Sequence, residues 1–151
     1  MSAGLAQAGH EISYGFEFDL TKDGQHAAIL SYKYSAESRV LISREPSDFA
    51  DFKGLYGESM RAPMPRGTSL QVKWKDTRTN EIFEDTVSLR NRLPKDMSEK
   101  IISLMIFGRQ LYIFITSDEP HAPGTPIIGP SINKRQTTIQ IYPDTPPPTK
   151  R

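Results

Sequence analysis

Apolar and polar residues alternate with a period of two along most of this chain. The densest block is residues 68–117, which holds four such stretches in a row. Over residues 69–76, Leu70, Val72 and Trp74 fall on one face and Gln71, Lys73 and Lys75 on the other. Residues 81–89 follow after 77–80, and then come 101–107 and 111–117, split by Gly108, Arg109 and Gln110. Alternation with β-branched and aromatic enrichment is what a pleated, half-buried strand requires. The same pattern predicts strands at 14–20, with Tyr14, Phe16, Phe18 and Leu20 on one face, and at 28–34, with Tyr32 and Tyr34 in phase. A turn at 21–24 joins them, its Asp-Gly pair supplying positive φ. Short strands are expected at 40–42 and at 136–142, the latter with Ile139 and Ile141 inward and Thr138 and Gln140 outward.

Residues 101–107 and 111–117 depart from simple alternation, because both faces are apolar. Ile102, Leu104 and Ile106 oppose Ile101, Met105 and Phe107, and Leu111, Ile113 and Ile115 oppose Tyr112 and Phe114. In a two-layer sandwich the core covers one face of each sheet. The surplus apolar face needs cover from this chain or from another protein. Two segments are candidates: 44–67, and the proline-rich 119–134 with Ile127 and Ile128.

Residues 44–67 read as a long loop. One helical turn is expected near its start, with Phe49 and Phe52 on one side. Gly54, Gly57, Pro63, Pro65 and Gly67 then interrupt any regular element. The loop carries Tyr56, Met60, Arg61, Met64 and Arg66, a composition that fits a contact surface and equally fits methionines capping a sandwich edge. Residues 90–99 read as a corner between sheets, with one 3₁₀ turn expected at 96–99. Asp85 is in phase with Phe83, Val87 and Leu89. As a buried carboxylate it calls for an arginine or backbone donors, and Arg90 or Arg92 is the expected source.

A chain of 151 residues can bury a core in one domain. The expected organisation is a flexible tether at 1–13, one domain at 14–144 and a proline-rich tail at 145–151. Cysteine is absent, which excludes disulfides, thiol nucleophiles and cysteine metal sites. Nineteen Lys and Arg against eighteen Asp and Glu leave a formal charge of +1, without the basic excess of a nucleic-acid binder. No apolar run reaches the ~18 residues of a membrane span. The small-residue start after Met1 fits a disordered N-terminus. It equally fits a chain cut just after a removed export signal, where a lipoprotein's acylated cysteine would have stood.

Catalytic signals are few. His10, His26 and His121 are far apart in sequence and show no metal-binding spacing. The stretch from Gly57 to Arg61 fails the GxSxG pattern at Arg61. No glycine-rich phosphate loop is present, and Glu84 and Asp85 point to opposite faces of a strand. The expectation is therefore no enzyme activity, no cofactor and no metal.

Four stretches carry a family resemblance: Lys73-Trp74-Lys75, residues 84–94 (EDTVSLRNRLP), residues 110–113 (QLYI) and residues 141–144 (IYPD). Across 14–144 the chain resembles small bacterial envelope lipoproteins encoded beside phospholipase effectors of type VI secretion systems, where they serve as immunity proteins. The resemblance implies a periplasmic, lipid-anchored protein that binds a toxic lipase and blocks it. The chain departs from it in having no lipobox cysteine, so membrane attachment would come only through an anchor absent from this sequence. The expected fold is an all-β, immunoglobulin-like β-sandwich of about seven or eight strands with long Pro/Gly-rich loops. Partner-binding residues are expected at Tyr56, Met60, Arg61, Met64 and Arg66, with Ile127 and Ile128 second. A ligand-binding or adhesion sandwich module and a structural subunit of an envelope assembly are the alternatives.

Overall fold

The computed structural model describes residues 11–45 and 54–145. Residues 1–10 of the expected tether, the turn expected around Phe49 and Phe52, and residues 146–151 of the expected tail lie outside them, while Ile12 and Ser13 of the expected tether belong to the first strand. Within them the chain forms nine strands: β1 Ile12–Asp19, β2 Ala27–Ala36, β3 Arg39–Arg44, β4 Gly57–Met64, β5 Ser69–Asp76, β6 Ile82–Ser88, β7 Lys100–Phe107, β8 Gln110–Pro120 and β9 Gln136–Tyr142. They make a five-stranded sheet, β4-β1-β7-β8-β9, and a four-stranded sheet, β3-β2-β5-β6. The β1/β7 pair is parallel and every other pair is antiparallel.

The predicted strands are present, and one more joins them. β4 lies where the sequence reads as a loop. It pairs with β1 along its whole length, from Ile12↔Met64 to Asp19↔Gly57. Its alternation is regular, with Gly57, Ser59, Arg61 and Pro63 exposed and Glu58, Met60, Ala62 and Met64 turned inward. Proline is tolerated because β4 is an edge strand with a partner on one side only. At the other corner no 3₁₀ turn forms at 96–99. Asp96 instead accepts the Ser98 amide at 2.9 Å, and Met97 is buried.

The two sheets face one another across a single large apolar cluster. Tyr14, Phe16, Phe18, Ile102, Leu104, Ile106, Leu111, Ile113 and Ile115 come from the five-stranded sheet. They meet Ile29, Tyr32, Tyr34, Leu70, Val72, Trp74 and Val87 from the other. Phe16 stacks on Tyr32 across the sheets with ring centroids 5.3 Å apart. A register shift between Ile29 and Ser31 lets Ile29 and Tyr32 both face inward, although strict alternation would separate them. At one end of the core the Gly67 amide donates to the Tyr34 hydroxyl at 2.8 Å. Tyr34 donates to Tyr14 at 2.6 Å, and Tyr14 to the Pro65 carbonyl at 2.7 Å.

Both open seams between the sheets are closed by a tyrosine–carboxylate pair with an arginine beside it. On the β3/β4 side, Tyr32 donates to Glu58 at 2.7 Å and Arg44 pairs with Glu58 at 2.6 Å. On the β6/β9 side, Tyr142 donates to Asp85 at 2.6 Å, and the Arg92 guanidinium lies 5.4 Å from the Tyr142 ring centroid. This corrects the expected pairing of Asp85. Arg90 pairs with Glu37, and Arg92 is taken by the Ile141 carbonyl at 2.6 Å and Asp144 at 2.9 Å. A phenol supplies the hydrogen bond without placing a second charge in a half-buried seam. Ile139 has the expected phase but stands half exposed beside this seam.

The Asp85 hydrogen bond, with burial second, pushes the Tyr142 hydroxyl up to about 12, and burial also raises Tyr14, Tyr32 and Tyr34. Phenols in an unfolded chain ionise near ~10. A group raised on folding stabilises fully below its unfolded value and loses that contribution as pH rises through the folded one. The melting temperature is therefore expected to fall between about pH 10 and about 12. Replacing Tyr142→Phe should make that fall shallower, as followed by circular dichroism; an unchanged slope would remove Tyr142 from the linkage.

The surplus apolar face of β7 and β8 is covered by the chain itself. Met105, Tyr112 and Phe114 form a second buried cluster, with Ile128 packed against it. Gly129 takes φ +83°, and a Cβ there would meet the Thr138 methyl at 2.8 Å, so the covering segment lies tight on the sheet. A short 3₁₀ turn, Ser131–Asn133, follows. Buried Asn133 donates to Glu17 at 3.1 Å and reaches the hydroxyls of Ser103 and Thr116 at 3.4 Å. Segment 119–134 is therefore the cover, while the described part of 44–67 extends the sheet sideways.

Candidate functional site

The covering segment touches β1 through the Asn133–Glu17 hydrogen bond and leaves the sheet edge beside that contact open. Each outward pair there joins one small residue to one charged residue: Gly15 on β1 faces Arg61 on β4, Glu17 faces Ser59, and Asp19 faces Gly57. Between the 3₁₀ turn and the sheet edge this leaves a trough made of two hollows that share Glu17 and Ser59. The larger, about 380 Å³, lies between Tyr56 and the pair Pro130 and Ile132, over Phe18 and the β1–β2 turn. The smaller, about 290 Å³, runs past Gly15 to Arg61 and Ile101.

Three chain segments build the larger hollow, and each is tied in place. Buried Gln25 donates to the carbonyls of Asp19 at 3.0 Å and Lys22 at 2.9 Å, and accepts the Ile106 amide at 2.8 Å. A buried amide with its hydrogen bonds satisfied fixes the turn against β7. Asp23 and Gly24 both take positive φ in that turn, as the Asp-Gly pair predicts. The Ser131 amide donates to Asp23 at 3.3 Å, joining the turn to the 3₁₀ segment. Leu20 donates its amide to the Tyr56 carbonyl at 2.7 Å, which sets the entry to β4. The trough is thus preformed. Asp19 accepts the Thr21 hydroxyl at 2.5 Å and the Thr21 amide at 3.0 Å, and these bonds hold its carboxyl below the ordinary range.

The structure sorts the expected partner-binding residues into three places. Tyr56 rims the larger hollow and Arg61 the smaller. Arg61 is exposed and makes no ion pair among the described residues. Met60 turns its side chain toward the core, and Met64 is 5% exposed inside it, so neither is an exposed anchor. Arg66 sits at the far end of β4, within 3.4 Å of the Leu93 and Pro94 carbonyls, in a separate hollow with Ile12 and Lys95. Ile128 is part of the cover over Tyr112 and Phe114, while Ile127 is exposed. The five residues of the expected loop therefore do not form one surface, because a strand spreads them along its length and across both faces.

Ile132, Glu17, Asp19 and Lys22 belong to the trough and had no place in the expected set. An isoleucine in a short turn beside proline is a weak local signal, and its position opposite Tyr56 arises only on folding. The alternation of Met60, Ala62 and Met64 against Ser59, Arg61 and Pro63 was the available sign of β4. Ser59 lies in the middle of that strand, on the exposed face. Among the described residues no group of three or more His, Asp or Glu side chains is placed to hold a metal ion. Comparison of the chain with known family models, curated proteins and solved structures returns no match.

Proposed function

We propose that this chain is a non-enzymatic inhibitor that binds a cognate lipase effector of a type VI secretion system in the periplasm, acting as its immunity protein. The scaffold is read as an immunoglobulin-like sandwich. The observation that carries the binding role is the preformed trough with Tyr56 and Ile132 exposed on either side of it. An exposed aromatic and an exposed aliphatic residue on a rigid concavity are the usual ingredients of a contact hot spot. The partner class comes from the resemblance of the strand and corner motifs at 73–75, 84–94, 110–113 and 141–144. Lipid attachment through a preceding cysteine belongs to the same proposal. Occlusion needs complementary anchors and no acid–base pair, which suits a trough holding carboxylates, two cations and apolar side chains.

Two alternatives stand beside this reading. An assembly subunit was favoured by an unpartnered apolar face, and residues 119–134 cover that face. A ligand-binding or adhesion module would be supported by an exposed aromatic platform; Trp74 is 1% exposed, while Tyr56 is 47% exposed beside the trough. The test is whether a lipase gene lies beside the gene for this chain and whether the chain inhibits that lipase, with affinity measured by calorimetry. Wild-type chain should inhibit it stoichiometrically, and Tyr56→Ala with Arg61→Glu should weaken binding at least ~tenfold, or ~1.4 kcal/mol. Absence of inhibition by the wild-type chain would refute the proposal.

A further inference from the structure

The larger hollow has a chemistry that selects its occupant, and we propose that it takes an arginine or lysine side chain of the partner together with an adjacent apolar residue. This rests on the binding role above and names what the partner presents. Apolar groups from Tyr56, Pro130 and Ile132 line the hollow, with Tyr56 47% and Ile132 63% exposed. Three carboxylates, Glu17, Asp19 and Asp23, lie among them, with Lys22 as the cation of the lining. The fourth carboxylate, Glu58, is neutralised by Arg44 at 2.6 Å.

An apolar wall beside a carboxylate edge matches the two halves of a long basic side chain. The methylene stem lies on the wall while the cationic head reaches the acids. A purely apolar occupant would strip water from the carboxylates without replacing its hydrogen bonds. An acidic occupant would meet like charge. The hydrogen bonds from Thr21 to Asp19 and from Asn133 to Glu17 come from neutral donors, so they orient these two acids and leave their charge in place.

The experiment is a titration of the full-length ¹⁵N-labelled chain, followed by amide chemical shifts. The probe is a short synthetic peptide with arginine between leucine and valine, and the control carries glutamate in place of the arginine. The arginine peptide should move the amides of Tyr56, Asp19 and Ile132 saturably. It should bind at least ~tenfold tighter than the control, with the preference shrinking as salt is raised. Asp19→Asn with Asp23→Asn should abolish the preference. Ile132→Ser, a change at a side chain 63% exposed, should weaken both peptides and guards against a turn that fails to form in the double variant. Equal binding of both peptides, or shifts scattered away from the hollow, would overturn the inference. A chain that inhibits no lipase yet selects the arginine peptide here loses the inhibitor proposal alone. A chain that inhibits its lipase but shows no such selection loses the occupant alone.

Discussion

Gly67→Ala is expected to destabilise the protein by ~3 kcal/mol or more, the combined cost of forcing a clash into a close-packed core and leaving buried hydrogen-bonding groups unpaired. A Cβ on Gly67 would stand 2.2 Å from Tyr34 Cε1 and 2.4 Å from Cζ. Neither is the end of a flexible chain. Tyr34 is fully buried, tilted against Phe16 at a centroid distance of 6.0 Å, and its ring has nowhere to go. Moving it also breaks the run from the Gly67 amide through Tyr34 and Tyr14 to the Pro65 carbonyl. For a domain of this size each kcal/mol corresponds to ~2–4 °C in melting temperature, so a drop of ~10 °C is the expected result. Urea unfolding followed by the fluorescence of Trp74, the single tryptophan, measures it directly. A loss below ~1 kcal/mol would mean that Tyr34 has room to move.

Trp74→Ala is expected to cost ~3–5 kcal/mol, within the usual range for emptying an aromatic site in a core. Trp74 is 1% exposed, rests against Phe83 at 5.9 Å, and donates its indole N–H to the Gly108 carbonyl at 2.9 Å. That hydrogen bond reaches from β5 in one sheet to the β7–β8 turn of the other, so it holds the hairpin to the opposite layer. Trp74→Phe separates the two contributions. It keeps most of the ring and removes the donor, and is expected to cost ~1–2 kcal/mol. Circular dichroism against urea serves for both variants. Equal losses in the two would place the stability in the hydrogen bond and not in the filled volume.

The two substitutions differ in how far they can be anticipated. Trp74 shares its phase with Leu70 and Val72, so alternation alone puts it in the core. Nothing local marks Gly67, which reads as one breaker among several in 54–67. Its importance comes from Tyr34, brought beside it by the pairing of β2 with β5. The same contrast runs through β4. Alternation there is clean from Glu58 to Met64, but Gly57 and Pro63 read as interruptions. They are tolerated because an edge strand needs ladder hydrogen bonds on one side only. Asp85 was recognised as needing a partner and assigned to the nearest arginines. The partner it finds, Tyr142, is far away in sequence and close only because β9 closes the seam over β6.

Periodicity alone determined the all-β class, most of the strands, which face of each is buried, and the need for cover over β7 and β8. These follow from a two-residue repeat whose burial is decided strand by strand. Tertiary structure alone decided that 119–134 is the cover, that β4 extends the sheet, and that Tyr56 and Ile132 face each other across a trough lined by Glu17, Asp19 and Asp23. The reason is physical. A hollow built from a hairpin turn, an edge strand and a 3₁₀ turn has no local pattern, because the hydrogen bonds that assemble it join residues up to 116 positions apart.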